Sequence, residues 1–290
     1  MKSLQGERRI ASDRGQIVYH AFGQGPVVLF INGMGASWHG FFNQITHFSD
    51  RYRCLVWDYR GLFSDLAAPA GDAASIEEHA RDALAILDAE GVERAAVLGW
   101  SAGVQVALQL FAETPARVAL LLLVAGGAQA SWGDSPDAGP IRRRYSTLID
   151  LMTKAPRLLQ PLLQTACRSP ETFTWARRMR LVGSGIDPEL FADVARNFGR
   201  LEVRSALHML KHMAERDLTP LLGMVDVPTL VVGGDRDPFT SRAALERLVH
   251  SIAGAEYLLL PGASHYLLLD HAQLVNLRID KFFAERGFTQ

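Results

Sequence analysis

Residues 95–103 read Ala-Ala-Val-Leu-Gly-Trp-Ser-Ala-Gly and place a serine between two glycines at the end of an apolar run. Residues 95–98 predict a buried strand, and the apolar spacing over residues 104–113 predicts a helix directly after it. A serine in the pattern Gly-x-Ser-x-Gly between a strand and a helix holds its hydroxyl above the edge of the sheet. The first N–H groups of the helix point at the same spot and would stabilise negative charge there. Ser101 is therefore the candidate nucleophile.

The same alternation of apolar runs and helical patterns continues on both sides of Ser101. It is typical of an α/β fold with a mostly parallel sheet flanked by helices. The predicted strands cover residues 16–22, 26–31, 53–57, 95–98, 118–124, 229–232 and 256–260. The predicted helices cover residues 75–90, 104–113, 242–251 and 272–285. Ser75 and Glu78 form a capping box at the start of the first of these helices.

The alternation stops between residues 127 and 216, where the pattern is helical with interruptions at Pro156, Pro161, Pro170 and Gly183. We therefore expect an α/β body made of residues 1–126 and 217–290, and a helical cap made of residues 127–216. Residues 141–216 contain 14 Lys and Arg but 7 Asp and Glu, although the net charge of the chain is −1. This basic surplus indicates either electrostatic docking on an acidic body or attraction of anionic substrates.

Composition excludes several classes of protein. A chain of 290 residues with 48% hydrophobic and 21% charged residues is typical of a globular protein. Its 30 Lys and Arg against 31 Asp and Glu lack the surplus that nucleic-acid binding requires. The start is polar and the apolar runs are far shorter than the ~20 residues that cross a bilayer, so we expect a cytoplasmic protein with no membrane insertion. Two cysteines are too few for a disulfide framework or a zinc site.

A serine hydroxyl is a poor nucleophile without a base. His265 is the candidate base, because it follows the last predicted strand at the same edge of the sheet as Ser101. The base in turn needs a carboxylate that orients it and stabilises its charged form. The segment Gly233-Gly234-Asp235-Arg236-Asp237-Pro238 ends the preceding strand and offers two aspartates. We prefer Asp237, which lies later in the loop, and expect Asp235 to cap the turn.

A tetrahedral intermediate at Ser101 requires two N–H donors. One is the backbone of Ala102, and the other comes from the loop Asn32-Gly33-Met34-Gly35, where we choose the amide of Met34. Gly33, Trp38 and Trp100 flank the reacting groups along the chain, so we expect them to line the substrate pocket. Some apolar residues of the insertion should cover that pocket and accept an apolar acyl group.

Together these segments resemble the α/β-hydrolase fold superfamily, in particular a serine esterase with a cap. The matching segments are Asn32-Gly33-Met34-Gly35, Asp58-Tyr59-Arg60-Gly61, Gly99-Trp100-Ser101-Ala102-Gly103, Gly233-Gly234-Asp235-Arg236-Asp237 and Gly262-Ala263-Ser264-His265. The resemblance implies an α/β-hydrolase fold and a Ser-His-Asp triad that works without a metal or cofactor. Asn32 replaces the usual histidine, in a loop similar to that of intracellular polyhydroxyalkanoate depolymerases. Phe63 replaces a usual glycine, so we expect that loop to follow another path.

The sequence thus predicts a serine hydrolase that cleaves small carboxylic esters through an acyl-enzyme. The same machinery serves carbon–carbon bond hydrolases, thioesterases and cofactor-free perhydrolases, and the basic insertion favours an anionic substrate among these. A small-molecule-binding receptor of this fold is the non-enzyme alternative, which the presence of Ser101, Asp237 and His265 disfavours. An exposed apolar face on the insertion would suit a homodimer.

Overall fold

A computed structural model describes residues 6–12, 15–63, 75–129 and 147–289, apart from 148, 153, 155, 170, 180 and 184. Residues 130–146 of the predicted insertion therefore lie outside the described part. The strands are β1 (Glu7–Ser12), β2 (Gly15–Phe22), β3 (Val27–Ile31), β4 (Arg53–Trp57), β5 (Ala95–Trp100), β6 (Val118–Val124), β7 (Thr229–Gly234) and β8 (Glu256–Leu260). In the described residues they form one eight-stranded sheet in the order β1-β2-β4-β3-β5-β6-β7-β8. Strands β3 to β8 are parallel, whereas β1 and β2 are antiparallel to their neighbours.

Helices cover both faces of this sheet. In the described residues they are α1 (Phe42–Phe48), α2 (Ile76–Ala89), α3 (Ala102–Glu113), α4 (Pro156–Arg168), α5 (Thr172–Arg178), α6 (Pro188–Phe198), α7 (Val203–Glu215), α8 (Arg242–Ser251), α9 (Leu267–Asp270) and α10 (Ala272–Glu285). Helices α2, α3 and α8 share one apolar cluster with the sheet, and α1 and α10 share the other. None of the described helices combines the length and apolarity needed to span a membrane.

Strand β3 shows why these runs are continuously apolar rather than alternating. Leu29 and Ile31 pack into the cluster on one face, whereas Val28 and Phe30 pack into the cluster on the other. Successive side chains of a strand point to opposite faces, so a strand with helices on both sides buries every residue. The carboxyl ends of the parallel strands consequently meet at one edge, which is where Ser101 and the loops after β7 and β8 lie.

Three short elements were not predicted from the sequence. Strand β1 lies at the edge of the sheet and is mostly exposed, so it lacks the apolar alternation of a half-buried strand. Helix α9 has four residues, too few for a helical period. Helix α1 did carry a signal, since Phe41, Ile45 and Phe48 are spaced four and three residues apart and are all buried.

The expected interruption at Pro161 is wrong, because helix α4 runs through it from Pro156 to Arg168. A proline inside a helix removes one backbone hydrogen bond but does not by itself end the helix. Leu159 and Leu163 of α4 pack on a cluster that contains Val203 and Leu207 of α7. This packing stabilises α4 as a continuous helix.

The helices α4 to α7 come between β6 and β7, as the break in the alternation predicted. The chain leaves and re-enters the body at one place, where Gln129 bridges Asp217 and the Leu218 N–H donates to the Ala128 carbonyl at 3.0 Å. Leu201, Ala206 and Met209 belong to the same apolar cluster as the body. Arg216 pairs with Glu77 of α2 at 2.5 Å, an ion pair of the kind that electrostatic docking requires.

A buried histidine lies beneath the loop that follows β4. His79 of α2 is 0% exposed, and its ring stacks on Tyr59 with 4.1 Å between ring centroids. Neither ring nitrogen has a hydrogen-bond partner among the described residues. Burial, together with the nearby Arg60 guanidinium, lowers the pKa of His79 to about 3. The neutral imidazole is therefore part of the folded core.

This pKa predicts a loss of stability in acid. The folded-state pKa lies below the ordinary value of His, so the unfolded chain binds the proton more tightly. The contribution of the neutral His79 to the free energy of unfolding is fully present above pH 6.5, and it is lost as the pH falls toward 3. We expect the free energy of unfolding of His79→Leu to decline less steeply between pH 6 and pH 4 than that of the wild type, by about 1 kcal/mol per pH unit. Urea denaturation at several pH values measures both slopes, and equal slopes would contradict the prediction.

Candidate active site

Ser101 lies in a strained turn between β5 and α3. Its φ is 56° and its ψ is −115°, a backbone conformation that residues with a side chain rarely adopt. The Ser101 N–H donates to the Val124 carbonyl at 2.8 Å and ties the turn to the end of β6. A Cβ on Gly99 would overlap the carbonyl of Gly103, and a Cβ on Gly103 would overlap the carbonyl of Ile31. Both glycines of the motif are therefore required for the close packing of the turn.

The structure brings together the three side chains that were singled out in the sequence. His265 Nε2 lies 3.0 Å from Ser101 Oγ, and His265 Nδ1 lies 2.8 Å from Asp237 Oδ2. A carboxylate only accepts hydrogen bonds, so we assign the ring proton to Nδ1. The lone pair of Nε2 then faces the serine hydroxyl. The imidazole is 9% exposed and the Asp237 carboxylate is 0% exposed, so water competes little for these hydrogen bonds.

The two aspartates of the loop after β7 have different partners. Asp237 Oδ1 accepts the N–H groups of Phe239 at 2.8 Å and Thr240 at 3.0 Å, which fixes the carboxylate and leaves Oδ2 for His265. Asp235 Oδ1 accepts the Gly262 N–H at 2.6 Å and so joins this loop to the loop after β8. Asp237 is thus the aspartate in contact with the imidazole, and Asp235 cross-links two loops rather than capping its own turn.

Trp100 does not line a pocket, contrary to the sequence-based expectation. It is 2% exposed and packs between Phe41 and Tyr266 in the apolar core. Its indole N–H donates to the carbonyl of His265 at 3.1 Å. The side chain points back into the core because residues alternate along β5, and from there it supports the backbone of His265.

The loop after β3 passes directly beside Ser101. A Cβ on Gly33 would lie 3.2 Å from the Ser101 Cβ, so the backbone of this loop approaches the serine as closely as glycine allows. Met34 is half-buried, and a turn closed by the Ala36 N–H and the Gly33 carbonyl at 3.1 Å surrounds it. Ala102 is the first residue of α3, where the N–H groups have no acceptor within the helix.

Asn32 connects this loop to the end of β4. Its side-chain amide donates to the Trp57 carbonyl at 2.6 Å, and its own carbonyl accepts the Tyr59 hydroxyl at 2.6 Å. Asp58 accepts the backbone N–H of Trp38 at 2.7 Å from the other side of the loop. Burial raises the pKa of Asp58 to about 7. The residue that departs from the usual histidine thus anchors the loop.

Trp38 packs among aromatic rings near the outer strands of the sheet. Its ring stacks on His39 and packs against His20 and Phe22. It lines a cavity of about 530 Å³, whose walls also include Asp58 and Arg200 but none of Ser101, Asp237 and His265. Trp38 is therefore a wall residue of this cavity, and its place in a substrate pocket at Ser101 stays a prediction.

Phe239 was not identified from the sequence, although it lies beside the reacting groups. Its side chain is 57% exposed, and its ring meets the His265 imidazole edge-on with 4.9 Å between centroids. An exposed aromatic residue next to a buried imidazole offers an apolar contact to a bound molecule. The available signal was its position two residues after Asp237 at the same edge of the sheet.

The arrangement can deprotonate a hydroxyl and stabilise the imidazolium that results. Among the described residues, no group of three or more His, Cys, Asp or Glu side chains is arranged to hold a metal ion. Ser101, His265, Asp237 and the neighbouring backbone amides are the polar groups that the structure brings together at this edge of the sheet.

Comparison with known families agrees with the fold. The alpha/beta hydrolase fold family matches residues 26–272, so the chain belongs to that family. A 2-hydroxy-6-oxononadienedioate/2-hydroxy-6-oxononatrienedioate hydrolase from Paraburkholderia xenovorans is 29% identical over 93% of this chain and 91% of its own length. A pimeloyl-[acyl-carrier protein] methyl ester esterase from Neisseria meningitidis is 28% identical over 85% of this chain and 89% of its own length.

Solved structures show the same fold at lower sequence identity. An esterase from Exiguobacterium antarcticum superposes with a TM-score of 0.78 at 18% identity, covering 94% of this chain and 98% of that one. A hydrolase from Pseudomonas aeruginosa superposes with a TM-score of 0.75 at 23% identity, covering 96% and 98%. These structures show the fold, and the family match over residues 26–272 shows that the chain belongs to the alpha/beta hydrolase fold family.

Proposed function

We propose that the protein is a serine hydrolase that cleaves carboxylic esters through an acyl-enzyme intermediate. The observation that carries this proposal is the hydrogen-bonded chain from Ser101 Oγ through His265 to Asp237, with distances of 3.0 and 2.8 Å. A serine hydroxyl is weakly nucleophilic until a base removes its proton, and this chain supplies the base. The similarity to a methyl ester esterase over 89% of that protein's length supports an ester as the bond cleaved.

In the first half of the reaction, His265 Nε2 takes the hydroxyl proton while Ser101 Oγ attacks the ester carbonyl carbon. The carbonyl oxygen becomes an oxyanion, and the backbone N–H groups of Met34 and Ala102 donate to it. Asp237 holds the proton on Nδ1 and stabilises the imidazolium. His265 then gives its proton to the leaving alcohol oxygen, the carbon–oxygen bond breaks, and the acyl group stays on Ser101.

In the second half, His265 Nε2 takes a proton from water, and the water oxygen attacks the acyl carbon. The second oxyanion uses the same two amides. Ser101 Oγ then leaves with the proton from His265, and the carboxylic acid is released. Every proton passes through His265, so the distances on both sides of its ring govern both halves of the reaction.

The proposal includes a cap formed by residues 127–216. The Phe198 ring at the end of α6 lies directly against Gly35, and the Leu201 side chain also lies beside Gly35. The Glu202 N–H donates to the Leu62 carbonyl at 2.8 Å. The insertion therefore lies over the loop that carries Met34, which supports a role in enclosing the substrate. Phe239 contacts the His265 ring and Gly33 lies beside Ser101, so both suit the wall of the substrate site.

A carbon–carbon bond hydrolase is the second candidate. Its support is the similarity to the hydrolase from Paraburkholderia xenovorans over 91% of that protein's length. The surplus of basic residues over positions 141–216 favours a substrate with free carboxylates, as does that relative's dioate substrate. A thioesterase or a perhydrolase would use the same nucleophile and base.

The first test replaces the nucleophile. Ser101→Ala removes the attacking oxygen, so we expect the turnover of p-nitrophenyl esters to fall by about 10⁴-fold or more. A fluorophosphonate probe should modify the wild type, and peptide mapping should locate the adduct on Ser101. Esterase activity of Ser101→Ala close to that of the wild type would refute the assignment. Absence of labelling in the wild type would favour a receptor over an enzyme.

The second test compares the two aspartates of one loop. Asp237→Asn removes the charge that orients His265, so we expect kcat to fall by roughly 10³- to 10⁴-fold. Asp235→Asn is the matched control: its amide oxygen can still accept the Gly262 N–H, so we expect kcat to fall by no more than about tenfold. Steady-state kinetics on one ester measures both, and equal losses would contradict the role of Asp237.

The third test separates the candidate substrates. Purified protein is assayed with p-nitrophenyl esters of graded acyl length, with acyl-CoA and with a vinylogous diketone acid. An ester hydrolase should have its highest kcat/KM on one of the esters, whereas a carbon–carbon bond hydrolase should prefer the diketone acid. Preference for the diketone acid with intact labelling at Ser101 would overturn the ester assignment and retain the mechanism.

A further inference from the structure

Asp270 is a buried carboxylate that takes no part in the proposed reaction. It ends the short helix α9, which begins two residues after His265, and its side chain is 0% exposed. Asp270 Oδ2 accepts the Ser264 hydroxyl at 2.5 Å and the Gly183 N–H at 2.8 Å. Asp270 Oδ1 accepts a hydrogen bond from His271 Nδ1 at 2.8 Å. A buried carboxylate is stable only when such donors surround it, so these contacts have to form together.

The first of these contacts reaches the backbone of the base. Ser264 directly precedes His265, and its hydroxyl donates to Asp270 while accepting the Tyr266 N–H at 3.1 Å. The Ser264 hydroxyl therefore links the residue before His265 to the residue after it and fixes the backbone between them. The Ser264 N–H also lies 3.4 Å from Asp270 Oδ2. On the opposite side, the indole N–H of Trp100 holds the His265 carbonyl.

The second contact comes from the insertion, 87 residues earlier in the chain. A Cβ on Gly183 would overlap the Asp270 carboxylate, and a Cβ on Gly185 would lie 2.6 Å from the Asp270 carbonyl oxygen. Leu269 belongs to an apolar cluster whose other members, such as Val182 and Phe191, are insertion residues. The segment that follows His265 is thus packed into the core of the insertion.

We propose that Asp270 is a positioning residue that fixes the imidazole of His265 and makes its position depend on how the insertion is seated. The inference rests on the proposed function. If the insertion shifts, the Gly183 N–H leaves Oδ2, the carboxylate turns, and Ser264 no longer holds the backbone at His265. The Nε2–Ser101 distance of 3.0 Å then lengthens. The insertion therefore acts on proton transfer as well as on enclosure of the substrate.

The direct test is a pair of substitutions at one position. Asp270→Ala removes all acceptors, and we expect kcat to fall by about 10²-fold, because a displacement of about 1 Å at the reacting groups has that effect. KM should change little, since Asp270 lies behind the base. Asp270→Asn should restore most of kcat, because its amide oxygen can replace Oδ2 while its NH₂ group donates to His271 Nδ1 in the tautomer that carries the ring proton on Nε2. Asp280→Ala is the control, since Asp280 binds Arg51 and His47 on another surface.

A second variant reaches the same contact from the insertion. Gly183→Ala places a methyl group against Asp270 Oδ2, and we expect kcat to fall by about tenfold with KM nearly unchanged. Gly223→Ala is the matched control, because no atom lies within 4 Å of a Cβ built on Gly223. A purely stabilising contact would lower the melting temperature of Gly183→Ala and leave the kcat of the folded enzyme intact.

Two further readouts decide between positioning and stability. The rate at which a fluorophosphonate modifies Ser101 should fall by the same factor as kcat. This labelling requires His265 to deprotonate Ser101, but it does not require protonation of a leaving alcohol. The proton NMR signal of the His265–Asp237 hydrogen bond should broaden or shift in Asp270→Ala and recover in Asp270→Asn. Wild-type labelling rates in folded Asp270→Ala and Gly183→Ala would overturn the positioning role alone. Failure of the wild type itself to label at Ser101 would overturn the proposed function and this inference together.

Discussion

The hydrogen bond between His265 Nε2 and Ser101 Oγ is the interaction on which the rest of the site depends. It joins two residues that are 164 positions apart in the chain, at a distance of 3.0 Å. Such an approach requires that both loops leave the sheet at the same edge, which a parallel sheet provides. It also requires the positive φ of Ser101, because a relaxed turn would aim the hydroxyl elsewhere. The packing of Gly99 and Gly103 against neighbouring backbone stabilises that turn.

Aspartates anchor the loops at this edge, and each one accepts backbone N–H groups. Asp58 holds the loop beside Ser101 through Trp38, and Asp235 holds the loop after β8 through Gly262. Asp237 binds its own loop with one oxygen and His265 with the other. Asp270 joins the insertion to Ser264. Hydrogen bonds to an ionised carboxylate are about twice as strong as neutral ones, so these aspartates hold their loops most firmly where they are charged.

Much of the fold was predictable because local patterns agree with the tertiary structure. Helix α2 begins at Ile76 and is capped by Ser75 in the capping box that the sequence predicted, and helices α8 and α10 have the predicted bounds. Strands buried on both faces read as continuous apolar runs, which is an unambiguous signal when a helix follows. Strand β1 and helix α9 were not predicted, because an exposed edge strand and a four-residue helix show no repeating pattern of apolar residues. The predicted interruption at Pro161 was wrong because the packing of α4 against α7 outweighs the local effect of one proline.

The sequence alone determined the alternation of strands and helices in the body, the turn at Ser101, and the candidates Ser101, His265 and a loop with two aspartates. These follow from local rules, since strand-to-helix turns, apolar periods and glycine positions act over a few residues. Only the tertiary structure decided that Asp237 rather than Asp235 meets His265, that Trp100 supports the base from the core, and that Trp38 lines a cavity with Asp58 and Arg200. Those outcomes depend on which face of an element a side chain takes and on contacts between separate elements, 28 positions apart for Asp237 and His265 and 165 positions apart for Trp100 and His265. Local spacing does not encode such contacts.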